Sequence, residues 1–304
     1  MKKNIVIGSR KSPLARAQAR FVAAGLRKIF PECAVVIRGI VTSGDRLKKW
    51  PRAAGKGLFV KEIEEALLQG KIDIAVHSMK DVPVEIPAHL EIAAVMKRLC
   101  PLDVLVCRQK GTLATLGKGS CIGTSSPRRK AQLLAYRPDI KVAEIRGNLD
   151  TRLRKLKEGR YDAIVVAAAG MLRMGRQRHI REHIPQTIML PAPGQGALGI
   201  EVRRDALCIK KMVKRLNHRR SFREITAERE FLRAMGGGCR TPIGAIGKID
   251  KERLILEGFV AVEKKGRVIK ARVWGQKHLP EHIGRKLAKK ITLLLKKSEQ
   301  CQKL

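Results

Sequence analysis

Short, almost wholly apolar runs alternate with longer amphipathic stretches through the first two-thirds of this chain, and that alternation restricts its possible folds more than any other feature. Ile5 to Gly8 is too short for a helix and reads as a strand, whereas Pro13 to Phe30 carries a helical period. Ala34 to Thr42 is the next predicted strand, Leu58 to Gln69 the next helix, and Ile72 to His77 a further strand. A second series follows the same plan. Val104 to Cys107 and Cys121 to Gly123 read as strands, Pro127 to Tyr136 as a helix, and Lys141 to Arg146 as a strand. Leu149 to Glu158 is a helix, and the continuous apolar run Ala163 to Ala168 is a strand buried on both faces. Such alternation predicts α/β domains with largely parallel sheets. The last third differs. Phe222 to Ala234 reads as a helix, with Ser221 and Glu224 spaced as a capping box. Three strand-like runs (Ile243–Ile249, Leu254–Val262, Val268–Val273) and a helix from Glu281 to Lys296 then predict a small α+β domain. Boundaries are expected near Arg98–Asp103 and His218–Arg220.

A chain of 304 residues exceeds one ordinary core, and its 44% hydrophobic content excludes wholesale disorder. With 3% aromatics, the cores must be aliphatic. The formal charge of +38 suits a polyanionic partner or an acidic substrate; a genome-wide bias towards Lys and Arg explains it equally well. The basic residues are spread along the whole chain rather than gathered in one arm. Seven cysteines, an odd number without any CxxC spacing, argue against a disulfide framework and a zinc knuckle. Met1-Lys2-Lys3-Asn4 leads directly into Ile5, too short for a secretory leader, and no apolar run reaches membrane-spanning length. A cytoplasmic location, with neither membrane nor specific nucleic acid as partner, is therefore expected.

Two segments share one design. Gly8-Ser9-Arg10-Lys11-Ser12-Pro13 and Gly123-Thr124-Ser125-Ser126-Pro127-Arg128-Arg129 each follow a strand and open a helix, with Ser as cap and Pro at the first helical position. The free backbone N–H groups and the forked donors of Arg10, Arg128 and Arg129 make each an anion site; plain capping beside solvated arginines is the alternative. Arg146 and Arg152 flank the start of the next helix, and Arg173 follows the apolar strand. Ligands of open α/β sheets sit beyond the carboxyl ends of strands, so Arg128, Arg129, Arg146, Arg152 and Arg173 together favour a polycarboxylate site, although an Arg-rich chain places some there by chance. Asp81, in His77-Ser78-Met79-Lys80-Asp81-Val82-Pro83, is a lone carboxylate at a strand end in basic surroundings. It suits hydrogen bonds from ligand N–H groups, stabilisation of a cation or proton transfer; capping of a turn is the alternative. Gly55-Lys56-Gly57-Leu58-Phe59 lacks Walker spacing, and the stretch Arg46 to Lys56 reads as a mobile loop or lid. Gln195 lies in a Pro/Gly turn and could bond a ligand. Cys239 follows three glycines and precedes Arg240, a setting for a reactive thiolate or for a small buried hydrophobe. A noncatalytic anion receptor and a nucleic-acid binder stay open at this point. The first leaves Cys239 and Asp81 unexplained, and the second lacks clustered aromatics.

Val76 to Pro83, Gly55 to Glu62, Gly123 to Ser126 with Arg128-Arg129, Arg146-Gly147-Asn148 with Thr151-Arg152-Leu153, Pro191 to Gly196 and Gly237-Gly238-Cys239 closely resemble the porphobilinogen deaminase (hydroxymethylbilane synthase) family. The resemblance implies two α/β domains similar to periplasmic binding proteins and a small C-terminal α+β domain. On this chain these fall at residues 1–97 with 197–216, 102–191, and 219–304. It implies a dipyrromethane cofactor joined by a thioether to Cys239, addition of four porphobilinogens with loss of ammonia, and release of hydroxymethylbilane by water from a monomeric enzyme. Asp81 would face the pyrrole nitrogens and stabilise the cation left by deamination. Arg10, Lys80, Arg128, Arg129, Arg146, Arg152 and Arg173 would hold side-chain carboxylates; Ser12, Ser78, Ser126 and Gln195 would line the site, and Phe59 would belong to the mobile loop. Two departures stand out. Pro127 replaces the usual apolar residue, and Lys97 to Asp103 lacks the usual acidic pair, which puts a hinge contact in question.

Overall fold

The computed structural model describes residues 4–46, 60–237, 242–262 and 267–300. The chain divides into two compact units, Met1–Arg98 with Ala197–Phe222, and Leu99–Gly196 with Arg223–Leu304.

In the first unit, β1 (Asn4–Arg10), β2 (Ala34–Ile40), β3 (Ile74–Ser78), β4 (Leu90–Val95) and β10 (Leu198–Arg203) form one sheet in the order β2-β1-β3-β10-β4. β1 runs parallel to β2 and β3, while β10 runs antiparallel to β3 and β4. The sheet is therefore mixed rather than largely parallel. The expectation missed β4 and β10, because an antiparallel strand arriving from far along the chain leaves no local mark on the βα alternation. Period-two packing buries both faces. Ile5, Ile7, Ile74 and Val76 pack with α1 (Pro13–Ile29) and α7 (Leu207–Lys214) through Val22, Leu26, Met212 and Val213. Ala75 and Leu90 pack on the other side with Ile63 and Leu67 of α3 (Lys61–Leu68). A short helix, α2 (Ser43–Arg46), follows β2.

In the second unit, β5 (Asp103–Cys107), β6 (Cys121–Gly123), β7 (Lys141–Ala143), β8 (Ala163–Ala167) and β9 (Glu182–His183) are ordered β7-β6-β8-β5-β9. Both sheets thus share a parallel core of three strands, first in the centre, then an antiparallel strand and an edge strand. Leu105, Ile122 and Val165 bury one face with Leu133 of α4 (Pro127–Tyr136). Val104, Ile164 and Val166 bury the other with Leu156 of α5 (Leu149–Lys157) and Met171 of α6 (Ala168–Arg173). β7 stops at Ala143, short of the expected Arg146. The next three carbonyls are taken by side chains instead: Glu144 O by Tyr161 Oη, Ile145 O by Ser125 Oγ and Arg146 O by Lys155 Nζ.

The same unit holds an antiparallel sheet, β11 (Ile243–Asp250), β12 (Arg253–Val262) and β13 (Arg267–Gln276), packed on α8 (Arg219–Ala234) and α9 (Pro280–Gln300) through Phe231, Leu256, Ile283 and Leu287. The expected capping box is not formed. α8 starts at Arg219, and His218 Nδ1 accepts the Ser221 N–H at 3.2 Å, so the cap lies three residues earlier. Glu224 Oε1 accepts instead from Ile249 N at 3.0 Å, and Glu228 takes Gly194 N and Gly247 N at 2.7 Å each. Buried α8 carboxylates satisfy strand and turn donors, a long-range demand that outweighs local capping.

Under β3, His77 Nε2 lies 2.9 Å from Glu201 Oε2, both buried. Burial first, and then the charge of Glu201, push the Glu64 carboxyl on α3 up to about 7, with His77 opposing. An acid that holds its proton more tightly when folded loses stability as pH rises from its unfolded value, 4.5, to about 7. Glu64→Gln should remove that dependence and stabilise the protein at alkaline pH by on the order of 1 kcal/mol after allowance for solvent screening. Urea unfolding on either side of the window measures it; identical pH profiles for the parent and the variant would contradict the assignment.

Candidate functional site

Both serine–proline loops fold as their residues dictate. Ser12 Oγ accepts the Ala15 N–H and Pro13 takes the first turn of α1; Ser126 Oγ accepts the Arg129 N–H and Pro127 does the same for α4. In the first unit, Arg10 closes β1 and forks onto Asp45, at 2.5 Å to Oδ1 and 3.4 Å to Oδ2. Burial disfavours charge on Asp45, but hydrogen bonds from Arg10 and Thr42 outweigh it and hold the carboxyl below its usual range. Ser78 ends β3, and a single 3₁₀ turn, Met79–Asp81, follows. Met79 and Val82 are buried on either side, so the turn leaves Lys80 half-buried and exposes Asp81. Met79 N donates to Ala197 O at 3.1 Å, and the Met79 sulfur occupies the space that a Cβ on Gly199 would need. The catalytic candidate thus stands on a turn pinned from beneath by β10.

In the second unit the arginines gather where the parallel strands end. Arg128 and Arg129, on the first turn of α4, are buried, only 4% and 6% exposed. Both reach one carboxylate, Asp103, which heads β5 opposite Ala167 at the carboxyl end of β8. Arg129 donates to Asp103 Oδ1 through Nε (3.1 Å) and Nη2 (2.7 Å), and to Val165 O through Nη1 (3.0 Å). Arg128 Nη1 lies 2.6 Å from Asp103 Oδ2, aligned poorly for a hydrogen bond, and donates to Leu190 O at 2.6 Å. Burial would raise the Asp103 carboxyl, but the two guanidinium groups overcome it and keep the acid well below its usual range, hence ionised. The balance is two buried cations against one anion. Arg173, at the end of α6, adds a third. Its Nη2 donates to Gly196 O at 2.8 Å, no ion pair to it is found among the described residues, and burial brings it down to about 10.

The remaining candidates divide. Gln195 is buried and donates to Pro101 O at 2.7 Å and Asp103 Oδ1 at 3.0 Å, so its amide holds the network. Asn148 caps α5 through the Thr151 N–H, and Arg152 Nε donates to Gly147 O at 3.0 Å. Arg146 is exposed and reaches Glu144 at 2.8 Å. Gly236 and Gly237 end α8 in a Schellman turn: Gly237 N donates to Leu232 O and Gly236 N to Arg233 O, with Gly236 at φ +63°. Cys239 and Phe59 lie outside the described residues. Asp103 is the site residue that sequence reasoning missed. Its signal was a charged residue heading an otherwise apolar strand, an arrangement that needs a buried cation. No group of three or more metal-ligating side chains occurs among the described residues.

Residues 5–211 match the family model "Porphobilinogen deaminase, dipyromethane cofactor binding domain", and residues 222–292 match "Porphobilinogen deaminase, C-terminal domain". The chain is 48% identical over 293 residues to a porphobilinogen deaminase of Pelotomaculum thermopropionicum, covering 96% of this chain and 94% of that one. It is 44% identical over 288 residues to the Thermus thermophilus porphobilinogen deaminase, covering 94% and 95%. Among solved structures it is similar to the periplasmic aliphatic sulphonate binding protein SsuA from Escherichia coli, at 14% identity and a TM-score of 0.42, covering 78% and 71%.

Asp103→Asn would strip the counter-ion from two buried guanidinium groups. It should cost about 3–5 kcal/mol in urea unfolding. A loss below about 1 kcal/mol, the range of an exposed ion pair, would show that these arginines do not depend on Asp103.

Proposed function

Because this chain belongs to the porphobilinogen deaminase family, we propose that it acts as a hydroxymethylbilane synthase, condensing four porphobilinogens head to tail on a dipyrromethane primer held by a thioether at Cys239. The observation that carries this reading is the surplus of positive charge in the second unit: Arg128 and Arg129 share one carboxylate, Asp103, and half-buried Arg173 has no ion pair among the described residues. A buried surplus of cation is costly unless a ligand supplies the anion. Porphobilinogen bears an acetate and a propionate, and a growing chain multiplies them, so the donor set fits both the dipyrromethane group and the product. When bound, that group would supply the free pyrrole carbon for the first condensation, and each later unit would join the pyrrole added before it.

The chain's own residues then have distinct tasks. Arg128 and Arg129 hold ligand carboxylates from a preset position, because Asp103, Leu190 O and Val165 O already fix their forks. Arg173, Arg146 and Arg152 bind further carboxylates as the chain lengthens, and Arg10 and Lys80 serve the same chemistry in the first unit. Ser12, Ser78 and Ser126 offer hydroxyl donors, and Gln195 secures Asp103. Asp81 accepts a hydrogen bond from the pyrrole N–H. It also balances the positive charge that develops as the aminomethyl C–N bond breaks and ammonia leaves. Phe59 is assigned to the mobile loop by the family resemblance alone. The working divisions are residues 1–97 with 197–216, 102–191 and 219–304, and the enzyme works as a cytoplasmic monomer. No helix among the described residues is long and apolar enough to cross a membrane.

Intact mass and an aldehyde stain for pyrroles test the attachment, with porphobilinogen supplied before scoring. Parent protein should carry a two-pyrrole adduct that Cys239→Ser lacks; an adduct retained in that variant moves the attachment elsewhere. Asp81→Asn should keep the adduct yet lose turnover by about 100-fold or more. Turnover within a few-fold of the parent would remove Asp81 from the chemistry.

A further inference from the structure

The deaminase reading uses few of the cations behind the +38 charge, and one part of the second unit concentrates several of the others. α9 contains six Lys or Arg and two Glu. Its apolar stripe, Ile283, Leu287, Ala288 and Ile291, is spent on the three-stranded sheet, and the outward face carries the lysines together with exposed Leu293 and Leu294. Where α9 crosses β13, a groove of 340 Å³ is lined by Arg272, Trp274, Lys286, Lys289, Lys290 and Leu293, together with Val273. Trp274 is one of two tryptophans in the chain and is 55% exposed. Arg253 lies over its ring at 4.6 Å and Lys286 at 5.9 Å.

Two of the three lysines are held in place. Lys286 Nζ donates to Trp274 O at 3.3 Å and Lys290 Nζ to Arg272 O at 3.1 Å, so two ammonium groups one helical turn apart are anchored on carbonyls two residues apart along the strand. Each keeps two further N–H donors. Arg272 meets Glu257 at 3.3 Å, the one ion pair found for the groove's cations among the described residues.

We propose that this groove binds a single-stranded polynucleotide, with phosphates along the row of Lys286, Lys289 and Lys290 and a base against Trp274. The occupant follows from the chemistry. A row of anchored cations needs a repeating anion, and an exposed indole already stacked with a guanidinium suits a planar base. An anionic membrane fits less well, because the main apolar stripe of α9 is buried against the sheet, leaving Leu293 and Leu294 as the exposed large apolar residues of the helix beside Trp274.

The test uses the full chain in a Trp50→Phe background, so that Trp274 alone reports, titrated with a short fluorescein-labelled oligouridine. Binding should quench Trp274. Lys286→Gln/Lys289→Gln/Lys290→Gln should weaken binding at least about 10-fold and reduce the slope of log affinity against log salt by about 2. Trp274→Leu should cost roughly 10-fold while leaving that slope unchanged. Porphobilinogen turnover and thermal unfolding should match those of the Trp50→Phe protein in both variants, which separates this site from the deaminase reading. Parent-like affinity in the triple variant would mean that charge binds diffusely, and overturns the proposal. So would stronger Trp274 quenching by phosphatidylserine vesicles than by the oligonucleotide.

Discussion

One carboxylate shared by two buried guanidinium groups organises the candidate site. Asp103 is ionised because Arg128 and Arg129 surround it, and the arginines tolerate burial because Asp103 is there. Neither side of this arrangement is stable alone, since an unpaired buried ion costs several kcal/mol. The pairing leaves a net charge of one, and Arg173 adds another without an ion-pair partner among the described residues. The proposed carboxylate ligand would meet this surplus already in place. That is preorganisation in the electrostatic sense: the donors are already oriented, and binding does not have to order them.

The same economy of polar groups shapes the rest of the second unit. Glu224 and Glu228 sit inside a helix where side chains of this kind normally face water, yet they satisfy backbone donors of β11 and of the Gly194 turn. Beyond β7, three carbonyls in succession are bonded by side chains from α5, from the turn before α4 and from the connection before β8. The loop that carries Arg146 and leads into α5, where Arg152 lies, is therefore fixed without being part of a sheet. In the first unit the comparable device is steric. Gly199 leaves room for Met79, and Met79 with Val82 anchors the turn that presents Asp81.

Much of this was legible from local chemistry. The caps at Ser12 and Ser126, the prolines that follow them and the placement of Arg128, Arg129, Arg146, Arg152 and Arg173 near strand ends all depend on neighbours within a few residues. The misreadings share a cause. Sheets expected to be largely parallel are mixed, because β10 and β5 join as antiparallel strands from distant parts of the chain. Ser221 and Glu224 have the spacing of a capping box, but a buried strand donor at Ile249 takes the glutamate. Asp103 was read as a boundary residue, since its partners lie 25 and 26 positions away.

Sequence alone determined which residues can start strands and helices, which loops expose backbone donors, and which motifs belong to the porphobilinogen deaminase family, because these properties reside in short stretches of chain. Only the tertiary structure decided which carboxylate neutralises which arginine, how much positive charge is left over, and which glutamates turn inward. Those outcomes are differences between large burial and Coulomb energies, and they exist only once distant segments share the same water-free space.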